Sequence, residues 1–262
     1  MIEAPAKRPV EWETPPPHLR IDPQEVHVWR GGLDRSPSDL QAFWDVLNPV
    51  ERNRAQRFYS SQHQDRFIAA HGMVRHILAL YLNLSPATLR FDNATHGKPL
   101  LAPPTHKRLF FNLSHSQNLA LLAVTRLGEI GVDLEQNRPT LNYTSLAERI
   151  MSEEERSIFG NLPSNRQRSA FFSCWTRKEA VIKAHGRGLG FPLNELSVSL
   201  APLPVPHKVT IQGDSTDGDE WWIYEIFPGN EYTAALAVKG KPTGLRFLHF
   251  SDEHFSPPSP NI

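Results

Sequence analysis

One feature of the chain constrains its fold more than any other: the same rhythm of elements occurs twice. Alternating apolar positions in Glu25-Val26-His27-Val28-Trp29-Arg30 predict a first strand. Helical spacing follows over Ser38–Leu47, Glu51–Tyr59 and His63–Leu82, where Phe67, Ala70, Met73 or Val74, Ile77 and Tyr81 share a face. A turn at Gly97-Lys98-Pro99 leads to two buried strands, Leu109–Leu113 and Leu119–Val124, joined by Ser114-His115-Ser116-Gln117-Asn118. The pattern then restarts with a strand over Ile130–Glu135, helices over Ser145–Phe159 and Arg166–Ala184, and strands over Glu195–Leu200, Trp221–Phe227 and Tyr232–Val238. Strand, helices, strands, twice over and without residue-level repetition, predicts an α+β (α/β) chain of two similar half-domains with pseudo-twofold symmetry. The ligand cleft is expected at their junction.

The division falls at 127/128, giving half-domains 25–127 and 128–250. Before them lies an arm, 1–24, that holds six of the 23 prolines and is expected to run extended or partly disordered. After them lies a second Pro-rich stretch, the tail 251–262. With 28 basic and 28 acidic residues there is no bulk positive field to hold nucleic acid. A single cysteine, Cys174, excludes a disulfide framework and a multi-cysteine metal site. No run approaches the roughly 18 apolar residues of a membrane span, and residues 1–20 lack the apolar stretch of a signal peptide, so a cytoplasmic location is expected.

Four segments carry chemistry. In Gly131-Val132-Asp133-Leu134-Glu135, strand alternation sends Val132 and Leu134 to the core and Asp133 and Glu135 together to the other face. The two carboxylates are then about 6.6 Å apart along the strand, close enough to converge on Mg²⁺; a solvated strand edge would read the same way. In Trp175-Thr176-Arg177-Lys178-Glu179-Ala180-Val181-Ile182-Lys183, helical spacing puts Trp175, Glu179 and Lys183 on one stripe. An ordinary surface ion pair fits that spacing too, but Trp175 argues that the stripe is covered. Phe111-Asn112-Leu113-Ser114-His115-Ser116 ends an apolar strand in polar groups that can meet an anion. As a Ser–His nucleophile it lacks both a nucleophile elbow and an orienting acid. Arg52, Arg54, Arg57, Arg66 and Arg75 make a local positive patch suited to phosphate.

Taken in order, Gly97-Lys98-Pro99, Phe111–Ser116, Gly131–Glu135 and Trp175-(x)₂-Lys178-Glu179-Ala180-(x)₂-Lys183 resemble the successive signatures of the Sfp-type 4′-phosphopantetheinyl transferases, over roughly Val26 to Val238. The resemblance implies transfer of the 4′-phosphopantetheine arm of coenzyme A to a serine of an apo acyl or peptidyl carrier protein. Such carriers serve fatty-acid, polyketide or nonribosomal peptide synthesis, and the by-product is adenosine 3′,5′-bisphosphate. By position it implies Asp133, Glu135 and Glu179 as Mg²⁺ ligands. It also implies Arg54, Arg75, Lys98, Pro99, Ser114, His115, Lys178 and Lys183 as contacts to coenzyme A. Glu179, or a water beside it, is the expected general base, with Lys183 and Asp133 completing the catalytic group. Where some members carry a second basic residue three before the Arg54 position, this chain has Glu51, and Arg52 or Arg57 would substitute. Carrier docking is expected on Leu146–Phe159, through Ile150, Met151 and Phe159. The duplicated halves imply a monomer, with no nucleic-acid or membrane partner. The competing readings are a non-enzymatic module that binds coenzyme A or a nucleotide, and a hydrolase acting through Ser114-His115.

Overall fold

A computed structural model describes residues 11–94, 96–103, 109–138, 140–186, 188–203, 206–209 and 220–251. The first ten residues of the Pro-rich arm and the tail 252–262 lie outside the described residues.

Strand β1 (Glu25–Gly32) is followed by helices α1 (Pro37–Val46), α2 (Pro49–Ala55) and α3 (Ser61–Leu82), then by β2 (Phe91–Asn93), β3 (Pro99–Leu101), β4 (Phe110–Ser116) and β5 (Leu119–Thr125). The second series is β6 (Ile130–Gln136), α4 (Tyr143–Ile150), α5 (Glu153–Gly160), α6 (Ser164–His185), β7 (His207–Val209), β8 (Trp221–Ile226), β9 (Tyr232–Lys239) and β10 (Gly244–His249). Two four-stranded sheets result, ordered β10-β1-β5-β4 and β6-β9-β8-β7, with β2 and β3 paired apart.

Each half lays a 22-residue helix on its own sheet. On the first, Phe67, Ala70, Met73 and Ile77 of α3 pack with Trp29, Leu122 and Val124. On the second, Phe171, Ala180, Val181 and Ala184 of α6 pack with Ile223, Ala235 and Ala237. The opposite faces of both sheets share one further core, in which Val26, Val28, Leu121 and Ala123 meet Val132, Leu134, Leu236 and Val238. Strand alternation makes this possible, since every second residue of β1, β5, β6 and β9 faces the shared core and the others face a helix. The layers run helix, sheet, sheet, helix, as expected of an α+β chain of two similar halves.

How the halves meet matters most for function. Strand β6 is an edge strand, and an edge leaves backbone N–H groups without ladder partners. Strand β4 answers with side chains. Asn112 Oδ1 accepts from Val132 N at 2.9 Å, Ser114 Oγ from Leu134 N at 3.2 Å and Ser116 Oγ from Gln136 N at 3.1 Å. Two-residue steps on both strands keep the three bonds in register.

On its other face β6 meets α6 at very short range. A Cβ on Gly131 would lie 2.1 Å from Ala180 O and 2.3 Å from Ala184 N, so the helix backbone rests directly on the strand backbone. Any side chain at 131 would push the helix away, and with it Glu179 and Lys183. The helix then ends at Gly186, whose φ of +78° suits glycine in the left-handed cap.

Four expectations change. Ser114, His115 and Ser116 belong to β4, and the turn is Gln117-Asn118 with Gln117 at φ +53°. The expected helix over Ser145–Phe159 breaks at Met151-Ser152, because Ser152 and Glu155 close a capping box that starts α5. No strand forms over Glu195–Leu200. Side chains serve its backbone instead: Glu155 accepts from Val198 N at 2.7 Å, and Arg177 donates to the carbonyls of Ser199 and Ala201. Finally, β10 pairs parallel with β1, so the chain recrosses the expected 127/128 division and completes the first sheet. The described part of the arm lies against β10, where Glu13 bridges Leu248 and Trp12 meets Phe247 edge-on at 5.4 Å.

Candidate active site at the seam

The close approach of α6 to β6 brings the strand carboxylates and the helical stripe together. Lys183 Nζ lies 2.5 Å from Asp133 Oδ1 and donates to Ser114 Oγ at 3.0 Å. Ser114 Oγ in turn donates to Asp133 Oδ1 at 3.1 Å. Lys183 therefore pairs across to Asp133 rather than along the helix to Glu179. The face bearing Asp133, which a solvated strand edge would leave open, is covered by α6: Asp133 is 4% and Glu179 8% exposed.

Three carboxylates are thus held near one another, Asp133 and Glu179 buried and Glu135 half-buried. Burial raises the pKa of Glu179, and Asp133 and Glu135 raise it further while Lys183 opposes them. Burial likewise raises that of Glu135, with Asp133 adding to it and Ser116, Arg138 and Trp175 opposing. Like charges that raise one another's pKa create a site where a cation is favourable. The other Asp133 oxygen, Oδ2, is buried and has no hydrogen-bond partner. A buried acceptor left unsatisfied is costly, and a hard cation is the ligand that would relieve it. The donor set is all oxygen, so these residues fit Mg²⁺. Among the described residues no three carboxylate, imidazole or thiolate groups stand gathered as a finished metal cage. Mg²⁺ commonly takes only one or two protein carboxylates and completes its shell with water and substrate phosphate.

Beyond Lys183 the field turns positive. His115 sits at the exposed end of β4, and its pKa is lowered by the atoms packed round its ring and then by the charges of His71, Lys183 and Arg54. The Arg54 guanidinium lies 5.4 Å from the Phe67 ring centroid, and His71 stacks on the same ring at 4.0 Å. The fixed charges of Arg54 and Lys183, with the His71 and His115 rings beside them, make a local anion site in a chain of zero net charge. His71 was not anticipated. It is one of 12 histidines, and only the fold brings it to Arg54 and His115.

Residues 33–127 match the N-terminal region of 4′-phosphopantetheinyl transferases, and residues 129–237 match the 4′-phosphopantetheinyl transferase superfamily. The 4′-phosphopantetheinyl transferase HetI of Nostoc sp. is 39% identical over 240 residues, covering 91% of this chain and 98% of the relative. The chain belongs to the 4′-phosphopantetheinyl transferase superfamily. Sfp of Bacillus subtilis is 27% identical over 84% of this chain and 96% of its own length. The L-aminoadipate-semialdehyde dehydrogenase-phosphopantetheinyl transferase of Rattus norvegicus is 26% identical over 86% of this chain and 77% of its own length. The protein is accordingly a transferase of a family that uses coenzyme A as substrate and acts on carrier-protein domains, which sets aside the non-enzymatic module. The hydrolase reading fails on geometry: Ser114 is buried and committed to Asp133 and Leu134, while His115 is on the opposite, exposed side of the strand.

Several of the residues expected at coenzyme A make bonds within the protein. Arg75 is fully buried, bonded to Glu51 Oε2 at 2.8 Å and to the carbonyls of Pro86 and Leu89, so it holds the first half together. Glu51 has a structural explanation too: it closes the capping box of α2 with Asn48 and takes the Arg75 charge. Arg52, a suggested substitute, is tied to the carbonyls of Trp44 and Asp45, whereas Arg57 is exposed. Lys178 is fully buried and donates to Glu155, Ile150 O and Leu193 O, which makes it a brace between helices. Lys98 bridges the halves, at 2.5 Å from Glu129 and 2.9 Å from Ala184 O, with its pKa lowered by burial. Pro99 is exposed at the start of β3. Ile150, Met151 and Phe159 are core residues, so the apolar docking face expected there does not exist; Ile158 is the exposed one. Cys174 is buried, and its thiol pKa is raised to about 12, chiefly by that burial. No helix among the described residues is long and apolar enough to cross a membrane.

Proposed function

We propose that the protein transfers the 4′-phosphopantetheine arm of coenzyme A to a serine hydroxyl of an apo acyl or peptidyl carrier protein, with Mg²⁺ and with release of adenosine 3′,5′-bisphosphate. The observation that carries this reading is the group of buried Asp133 and Glu179 with half-buried Glu135 and Lys183 at the seam, in which Asp133 Oδ2 has no partner. Asp133, Glu135 and Glu179 would hold Mg²⁺. When bound, Mg²⁺ offsets charge on the pyrophosphate as the P–O bond to the leaving nucleotide breaks.

The chain's own groups do the rest. Arg54 offers positive charge, and the imidazoles of His71 and His115 beside it hydrogen-bonding groups, that would hold the nucleotide phosphate. Lys183 sets a fixed positive charge beside the breaking bond. The carrier hydroxyl forms a new P–O bond to the phosphorus that bears pantetheine, and its proton must leave in the same step. Glu179 is the base proposed to take it, because burial and the Asp133 charge raise its proton affinity toward neutral pH. Ser114 and Lys183 orient Asp133 away from that proton.

Incubation of the protein with Mg²⁺, coenzyme A and a panel of apo carrier proteins is expected to add the mass of one phosphopantetheine arm to at least one carrier. No mass gain on any carrier, with the protein folded, sinks the reading. Glu179→Gln is expected to slow transfer by about 100-fold at saturating Mg²⁺. In metal-free protein the same substitution should raise Tm. The native state raises the Glu179 pKa, so the stability that this group contributes is full below its unfolded pKa and lost as pH rises through the folded one. At pH 7 the charge therefore costs stability, and neutral Gln removes that cost. Roughly 1 kcal/mol moves Tm about 2–4 °C in a chain of this size. Transfer at near wild-type rate would remove Glu179 from the base role.

A further inference from the structure

The hydroxyl of Ser116 has one proton to give and is placed so that only one acceptor receives it. Its Oγ already accepts from Gln136 N at 3.1 Å, as the third rung of the seam between β4 and β6. The remaining O–H points to Glu135 Oε2, at 3.2 Å. Ser114 does the same one rung earlier, accepting from Leu134 N and donating to Asp133. The two strand carboxylates of the second half are thus each held by a serine of the first half.

We propose that Ser116 is a positioning residue for Glu135, holding its carboxylate from the other half so that it is preset to receive Mg²⁺ beside Asp133; this rests on the metal reading above. A glutamate has three side-chain torsions, and an unclamped one would have to be ordered at the moment the cation binds. A fixed donor on the carboxylate orders it beforehand and leaves lone pairs free for the cation. Because that donor belongs to β4, docking of the halves and readiness of the metal site become a single event. The sequence position of Ser116 gave no sign of this, since it is the last polar residue of a strand that reads as turning.

The test measures Mg²⁺ alone, titrated calorimetrically into the full-length protein, together with the Mg²⁺ half-saturation of transfer and coenzyme A binding without metal. Removing a donor that orients a metal ligand typically weakens metal binding 10–100-fold, so Ser116→Ala is expected to weaken Mg²⁺ binding about 10-fold and leave metal-free coenzyme A binding unchanged. Ser116→Thr keeps the hydroxyl and is expected to restore Mg²⁺ affinity. Ser116→Cys keeps the side chain's size with a much weaker donor and is expected to weaken Mg²⁺ binding in the same way, which carries the test if Ser116→Ala fails to fold. Wild-type Mg²⁺ affinity in Ser116→Ala or, where that variant is unfolded, in Ser116→Cys overturns the proposal, as does equal weakening in Ser116→Ala and Ser116→Thr. Asp133→Asn separates the two levels. If it leaves Mg²⁺ binding intact, the metal reading itself fails; if it abolishes binding while Ser116→Ala does not weaken it, only the clamp fails.

Discussion

Asp133→Asn is expected to lower phosphopantetheine transfer by roughly 10²–10³-fold while the protein stays folded and still binds coenzyme A. The change is nearly isosteric, so the close contact between α6 and β6 is undisturbed. What it removes is charge. Asp133 is the carboxylate that faces Lys183 at 2.5 Å, and its second oxygen is the buried acceptor without a partner. Asn can offer one carbonyl oxygen but no negative charge, so a divalent cation loses its strongest ligand at the seam. Loss of the Asp133 charge also takes away one cause of the raised pKa of Glu179, which weakens that group as a base. The cations near His115 are untouched, so binding of coenzyme A without metal should change little. The measurement is the transfer rate against Mg²⁺ concentration, beside the coenzyme A affinity without metal. A rate within a factor of three of wild type at millimolar Mg²⁺ would show that Asp133 does not serve the reaction.

Lys178→Ala is expected to act on stability instead. It should cost about 3–5 kcal/mol, the usual penalty for leaving one member of a buried ion pair alone. That corresponds to a fall in Tm of roughly 6–20 °C. The bonding explains the size. The ammonium has three donors, and all three are used, on Glu155 Oε2 at 2.5 Å, Ile150 O at 2.8 Å and Leu193 O at 2.9 Å. Glu155 is as fully committed, accepting from Ser152 N and Val198 N at 2.7 Å each. The pair therefore ties α5, α6 and the irregular segment after Leu193 into one unit. A double replacement, Lys178→Met with Glu155→Leu, leaves no charge unpaired and should lose less than the sum of the two single changes. Thermal denaturation of the four proteins reads this directly. If Lys178→Ala instead kept its Tm and lost coenzyme A affinity, Lys178 would be the phosphate contact that its place in the motif implied.

These two residues mark where reading the chain alone succeeds and where it stops. Asp133 was legible because strand alternation is strict: once Val132 and Leu134 face the core, Asp133 and Glu135 must share the other side. Glu179 and Lys183 were legible for the parallel reason that helical spacing puts them on one stripe. The bonds of Lys178 and Arg75 were not legible because a charged residue inside a motif has the same letter whether it meets phosphate or a buried carboxylate. Burial is a property of what packs against it. Ser114 to Ser116 were misread as a loop because short polar residues after an apolar strand usually turn the chain. Here they continue the strand, and β6 supplies the N–H groups that their oxygens satisfy.

Local periodicity by itself determined most of the elements, the two-fold rhythm, the carboxylate pair on β6 and the stripe on α6, because each depends only on neighbours within a turn or a strand. The tertiary structure alone decided which face of β6 is covered, which cations meet at His115, and that β10 returns to β1 across more than two hundred residues. It also decided that the serines of one half hold the carboxylates of the other. Those outcomes depend on pairings distant in sequence. They are set by close packing, as where Gly131 lets α6 rest on the strand, and no local pattern encodes them.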